Sequence, residues 1–264
     1  MINDNFVNQL QALVYELGLE VEIIKKRKFI LSYKNDGSPL TEADALVNNE
    51  LFHFLKTSKY QNIISEETKL CEHNERKSWK YYWVIDPIDG TKEFIRRGND
   101  YTINVALCFK NYPIFGLVYA PATQSLYCAQ KGKGSYKNQE QISVKSEVGE
   151  KLTIVASRSH TNKETENFIK ILSSAIKVEV VSYGSSLKIC AVAEGSADIY
   201  PRLGPTMEWD TAAAQLVLEE AGGKMLTLQT RKRLNYNKGN LMNPSFFCCS
   251  PTTERILSTI HEKL

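Results

Sequence analysis

The sequence has no Cys-x-x-Cys pair. Cys71, Cys108, Cys128, Cys190, Cys248 and Cys249 are scattered or adjacent, which argues against a zinc site. Most of them sit in apolar runs such as Val105-Ala106-Leu107-Cys108-Phe109 and read as small buried hydrophobes of a reducing compartment. The N-terminus lacks the basic start and apolar stretch of a signal peptide. No run approaches the ~18 to 20 apolar residues needed to span a bilayer. A cytoplasmic location is therefore expected. Charge of one sign is not in excess: a net +3 over 264 residues gives no argument for nucleic-acid or membrane binding. No basic patch interleaved with aromatics appears, so nucleic acid is not expected as a partner. A Gly-x-Ser-x-Gly elbow and a P-loop are both missing, which argues against an α/β-hydrolase and a P-loop kinase. Internal repeats and low-complexity tracts are missing too.

What is present is ordinary in bulk, with 42% hydrophobic and 24% charged residues, enough for a sizeable core. Phe6, Leu10, Leu13, Val14 and Leu17 recur at helical spacing and predict a long opening helix to about residue 27. Asp36-Gly37-Ser38-Pro39 reads as a turn. Thr41 then caps a second helix that buries Leu46, Val47, Leu51, Phe54 and Leu55. Short β runs follow at 63–65, 81–85, 101–109, 113–120 and 125–129. After a polar boundary near 145–151, strands and helices alternate, with the last long helix at 210–221 stopped by Gly222-Gly223. Such alternation argues for α/β layering. We divide the chain into an N-terminal α+β part, 1–150, and a C-terminal α/β part, 151–264.

Carboxylates recur where the apolar strands end. Glu66-Glu67 follow Ile63-Ile64-Ser65, Asp86 and Asp89 follow Trp83-Val84-Ile85, and Asp210 follows Glu208-Trp209 and opens a helix. Strand ends at a crevice are where layered α/β folds bind ligands. Asp86-Pro87-Ile88-Asp89-Gly90-Thr91 is the most informative stretch. Two carboxylates on one tight turn repel unless a cation lies between them, and magnesium favours such hard oxygen ligands. The same turn can aim the Ile88 carbonyl at the ion, and the Gly90 and Thr91 amides can cradle a phosphate. Read alone, Asp-Pro and Asp-Gly make turns, Glu66-Glu67 are a solvated loop, and Asp44 suits the helix dipole as a cap. Ser157-Arg158-Ser159-His160, Gly184-Ser185-Ser186-Leu187-Lys188 and Arg202 can each present donors to an anion. Singly they read as a loop, an N-cap and a surface charge. Trp83 and Trp209 read as core, and His53, His73 and His261 show no partner pattern.

Ser65-Glu66-Glu67, Trp83 through Thr91, and Trp209-Asp210-Thr211-Ala212-Ala213 together resemble the inositol monophosphatase superfamily. The match is closer to its 3′(2′),5′-bisphosphate nucleotidases of the CysQ type. Asp36-Gly37-Ser38-Pro39-Leu40-Thr41-Glu42-Ala43-Asp44, Gly90-Thr91-Lys92-Glu93-Phe94-Ile95 and Ala193 through Thr206 are similar to theirs. The resemblance covers nearly the whole chain and weakens over the Lys/Asn-rich 224–244. It implies a layered α/β/α/β/α sandwich of α+β class. It also implies a lithium-sensitive hydrolase that uses two or three magnesium ions. The metal ligands it implies are Glu66, Asp86, the Ile88 carbonyl, Asp89 and Asp210. Asp44 and Thr91 would orient and deprotonate the attacking water, and Glu67 would support them from outside. Gly90 and Thr91 would hold the scissile phosphate, and Ser159, His160, Ser185, Lys188 and Arg202 the rest of a phosphorylated nucleotide. The implied substrate is adenosine 3′,5′-bisphosphate, with adenosine 3′-phosphate 5′-phosphosulfate as a second, in sulfur metabolism. Alternatives within the chemistry are an inositol monophosphatase or a fructose-1,6-bisphosphatase. An alternative of another class is a catalytically silent nucleotide- or metal-binding regulator. Monomer or homodimer, and peripheral membrane association, are left open.

Overall fold

The computed structural model describes residues 2–157 and 162–259. Its first part runs α1 (Asp4–Lys26), β1 (Leu31–Tyr33), β2 (Pro39–Thr41), α2 (Glu42–Lys56), β3 (Ile63–Ser65), α3 (His73–Arg76), β4 (Tyr81–Asp89), α4 (Thr91–Ile95), β5 (Thr102–Phe109), β6 (Tyr112–Ala120), β7 (Ser125–Gln130), β8 (Gly134–Lys137) and β9 (Glu140–Ile142). Then follow β10 (Leu152–Ser157), α5 (Lys163–Ala175), β11 (Val178–Tyr183), α6 (Leu187–Ala193), β12 (Ile199–Arg202), α7 (Glu208–Glu220), β13 (Lys224–Thr227), β14 (Phe246–Cys249) and α8 (Pro251–Thr259).

Two sheets carry the architecture. A seven-stranded sheet has β3 to β9 in chain order, antiparallel but for β3 beside β4. A five-stranded mixed sheet has the order β11-β10-β12-β14-β13. The pleat sorts side chains between layers. On β4 and β5, Trp83, Ile85, Ile103, Val105 and Leu107 pack with α1 and α2. Their neighbours Tyr82, Val84, Ala106 and Cys108 pack with α6 and α7. On β14, Phe246 and Cys248 join that middle core, while Phe247 and Cys249 face α5 and α8. The layers are therefore α1/α2, large sheet, α6/α7, small sheet, α5/α8. Both faces of each sheet are covered, which is why the central strands are apolar throughout rather than alternating. Contact between α7 and the large sheet is close: a Cβ on Gly116 would stand 2.3 Å from the Ala213 carbonyl oxygen.

Several boundaries differ from the sequence reading. β1 and β2 pair as a hairpin around the 36–39 turn, a pairing that strands of three residues each do not announce. β8, β9 and β13 are also short and half-exposed. α7 begins at Glu208, so Asp210 stands at its third position and not at its opening. Trp83 and Trp209 are core residues, as expected. Among the described residues no helix is long and apolar enough to cross a membrane.

Candidate active site

β4 does not end at Asp86. It continues to Asp89, and its pairing with β5 slips on the way: Asp86 opposes Asn104, but Asp89 opposes Thr102. Three steps on one strand face two on the other, so one extra residue is bulged out. In a regular strand positions 86 and 89 point to opposite faces; the inserted residue turns both to the same side. Pro87, which has no N–H to give a ladder, fits such a bulge. Gly90 follows with φ +96°, a backbone that side chains rarely adopt, and starts α4.

Three chain segments converge on this bulge. Carboxylate oxygens of Glu66, Asp86 and Asp210 lie within 4.8 Å of one another. Asp86 is 1% exposed, and its Oδ1 has no hydrogen-bond partner. Burial, and then the negative charges of Glu66, Asp89 and Asp210, hold its carboxyl well above the usual range. Asp210 is pushed to about 8, by burial first and then by Asp89. It keeps one fixed partner, since its Oδ2 accepts from the Met207 amide at 2.9 Å. Acids this close and mutually repelling, with one buried oxygen left unpaired, form a donor set that fits a hard divalent cation.

Asp89 is outside that trio. Its Oδ2 accepts from the Ser185 and Ser186 hydroxyls at 2.7 and 2.9 Å, so these serines reach across from the start of α6. The Ile88 carbonyl accepts from Thr91 Oγ1 at 3.0 Å. Thr91 Oγ1 also reaches Asp44 Oδ1 at 3.3 Å. Asp44 closes a capping box on α2: its Oδ2 accepts from the Thr41 amide at 2.8 Å and from the Thr41 hydroxyl. Capping and the Thr91 contact thus use different oxygens of one buried carboxylate. Its pKa is raised, chiefly by burial, against the lowering effect of the Thr41 bonds.

A cleft of about 290 Å³ opens over these groups, lined on its far side by Lys188, Tyr200, Arg202, Thr206 and Phe246. Lys188 is buried, donates to the Ser185 carbonyl at 2.6 Å and stands 5.6 Å from the centre of the Tyr200 ring. Burial lowers its pKa to about 8, with Asp89 opposing. Arg202 donates to the Pro205 carbonyl at 2.7 Å, and its buried Nε has no partner. Ser159 and His160 lie outside the described residues.

Two participants were missed in the sequence. Lys34, at the mouth of the β1–β2 hairpin, puts its ammonium 2.8 Å from Glu66 Oε1 and 2.6 Å from Glu67 Oε1. Glu67 is pushed up to about 7, by burial against the Lys34 hydrogen bond. Ser186 was read as part of a helix start able to present donors to an anion, with no role of its own. A hairpin lysine and an N-cap serine carry no local signal of a distant carboxylate.

Known proteins resemble this chain in sequence and in fold. The 3′(2′),5′-bisphosphate nucleotidase CysQ of Salmonella typhimurium is 38% identical over 218 residues, 81% of this chain and 86% of that one. Its counterpart from Haemophilus influenzae is 34% identical over 93% of each chain. The crystal structure of CysQ from Bacteroides thetaiotaomicron, a bacterial member of the inositol monophosphatase family, superposes with a TM-score of 0.82 at 35% identity, over 92% of this chain and 97% of that one. Residues 3–264 match the inositol monophosphatase family, and the chain belongs to it.

Proposed function

We propose that this protein is a magnesium-dependent phosphatase that hydrolyses adenosine 3′(2′),5′-bisphosphate to AMP and phosphate, with adenosine 3′-phosphate 5′-phosphosulfate as a second substrate. The observation that carries this reading is the convergence of Glu66, Asp86 and Asp210 beside the Asp44–Thr91 pair. The similarity to relatives named for that activity selects the substrate.

Glu66, Asp86, Asp89, Asp210 and the Ile88 carbonyl would hold two or three magnesium ions. When bound, magnesium lowers the pKa of water and neutralises charge on the phosphoryl group. Thr91 has one hydroxyl proton and two acceptors, Asp44 and the Ile88 carbonyl. With that proton given to Asp44, a Thr91 lone pair faces the cleft and accepts from the attacking water. The water's proton then moves through Thr91 to Asp44, whose raised pKa suits it to receive one. Glu67, held by Lys34, steadies Glu66 from behind. Gly90 and Thr91 would receive the scissile phosphate at the start of α4, and Lys188 and Arg202 would meet the second phosphate with positive charge. Ser159 and His160 are proposed nucleotide contacts from the sequence alone. A cytoplasmic location accords with six free cysteines, four of them buried.

Phosphate release from the purified chain, with and without magnesium, tests the reading on the bisphosphate nucleotide, inositol 1-phosphate and fructose 1,6-bisphosphate. The nucleotide should give the highest kcat/KM, and chelation should abolish it. A preference for inositol 1-phosphate overturns the substrate assignment; turnover that survives chelation overturns the metal assignment. Asp89→Asn should abolish turnover and leave the fold intact.

A further inference from the structure

β5 presents two polar side chains on one face, Thr102 and Asn104, and each engages one serine at the start of α6. Thr102 Oγ1 and Ser185 Oγ are 2.5 Å apart, and Asn104 Nδ2 donates to Ser186 Oγ at 2.8 Å. Both serines then donate to the same oxygen, Oδ2 of Asp89. Ser186 is 2% exposed and also lies 2.9 Å from the Asp210 main-chain carbonyl. With the Asn104 amide occupying a lone pair, the Ser186 proton has only two directions, and both acceptors belong to residues proposed as metal ligands.

We infer that this paired clasp, with Ser186 as its positioning residue, makes Asp89 a one-oxygen donor and thereby sets the choice of magnesium over calcium. The inference rests on the metal-dependent reading above. A carboxylate whose two oxygens are both free can chelate a cation, and calcium takes such bidentate ligands readily at coordination numbers of about 6 to 8. Magnesium demands a compact octahedron and takes single oxygens. Two hydroxyls on Oδ2 leave Oδ1 for the ion and fix the plane of the carboxylate. The same hydroxyl stands 2.9 Å from both Asp89 Oδ2 and the Asp210 main-chain carbonyl, so its one proton is shared between that carboxylate and the helix bearing Asp210.

The test is calorimetric titration of the full chain with magnesium chloride and with calcium chloride, no substrate present. Ser186→Ala should weaken magnesium binding about tenfold, the size usual for loss of a group that orients a ligand. It should weaken calcium binding less, so the magnesium/calcium affinity ratio narrows. Ser186→Thr keeps the hydroxyl and should restore the ratio. Asn104→Leu removes the amide that directs the hydroxyl; it should narrow the ratio as well, and add nothing in the Ser186→Ala background. If Ser186→Ala does not fold, Asn104→Leu alone decides. A folded variant with the wild-type ratio overturns the clasp while leaving the metal assignment standing. A wild-type chain that binds neither ion overturns the metal assignment and the clasp with it.

Discussion

Thr91 Oγ1 stands 3.3 Å from Asp44 Oδ1, joining residues 47 apart in the chain, while the other oxygen of Asp44 holds the Thr41 amide. A cap alone needs one acceptor, so the second contact separates the two roles by substitution. Asp44→Asn keeps an oxygen for Thr41 and should leave the melting temperature within a few degrees of wild type. It removes the proton acceptor, and kcat should fall by about 10²- to 10⁴-fold, the usual weight of such a group. Thr91→Val should lose a comparable factor with KM little changed. Circular dichroism melts beside phosphate-release kinetics check this. An Asp44→Asn enzyme with near-normal kcat would reduce Asp44 to a cap.

The metal-free protein should be least stable where its clustered acids are charged. Burial and mutual repulsion raise Asp86, and raise Asp210 to about 8, from an unfolded-chain value of about 3.9. The folded state therefore binds protons that the unfolded chain has released. Their contribution to stability is complete below about pH 4, and it is lost as pH rises through about 8. Magnesium substitutes for those protons. The gain in melting temperature on adding magnesium should grow from pH 6 to pH 8.5, with protons released on binding. Scanning calorimetry across that range tests it; a gain independent of pH would contradict the repulsion argument.

Lys34 supplies the positive charge nearest to Glu66 and Glu67. Lys34→Met should lower the metal-free melting temperature at pH 8, and magnesium should recover most of the deficit, since a cation beside Glu66 replaces the charge removed. Dye-monitored melts with and without magnesium distinguish this from lost packing, which magnesium would leave uncorrected.

Gly90 combines φ +96° with a built Cβ position 2.9 Å from the Asp100 carbonyl oxygen. Gly90→Ala thus meets a backbone penalty of about 1 to 3 kcal/mol and a clash with main chain that cannot rotate away. Stability should fall by at least that amount in urea, and magnesium affinity should fall with it because the turn between Asp89 and Thr91 shifts. Loss of less than about 0.5 kcal/mol, the level of an ordinary surface change, would mean that the turn relaxes freely.

The acids of the site were legible because they cluster in short motifs at strand ends, and Trp83 and the α2 face followed from apolar spacing. What escaped depends on contacts distant in the chain. Ser186 meets Asp89 across 97 residues, and Lys34 meets Glu66 across 32. Nothing beside either residue distinguishes a ligand-orienting hydroxyl from an N-cap, or a counter-ion from a surface lysine. The bulge at Asp86–Asp89 was hidden for a related reason: it exists only in register with Asn104 and Thr102. The sequence reading opens the last long helix at Asp210, two residues late, and nothing local marks charged Glu208 as a buried first position.

Glu208 is nevertheless fully buried, and the Lys/Asn-rich segment accounts for it. Its Oε2 accepts from the Asn237 amide at 2.6 Å, and its Oε1 from the Lys238 amide and ammonium at 3.0 and 2.7 Å. Asn237 is pinned in turn by Arg76, which donates to its side-chain oxygen at 2.8 Å and accepts from its side-chain nitrogen through the Arg76 carbonyl at 2.6 Å. This network grips the first turn of α7, two residues before Asp210. Removing the carboxylate leaves two amides without an acceptor, while the half-buried Lys238 ammonium keeps the Asn235 carbonyl and the Asn243 side-chain oxygen; at about 1 to 3 kcal/mol for each unsatisfied amide, Glu208→Ala should cost about 2 to 6 kcal/mol. Lys238→Met leaves Glu208 with both amides and should cost less, about 1.5 to 3 kcal/mol for one charged hydrogen bond. Urea denaturation ranks the two. Equal losses would mean that the ammonium alone holds Glu208, and that the Asn237 and Lys238 main-chain amides add nothing to the grip on the helix from which Asp210 projects.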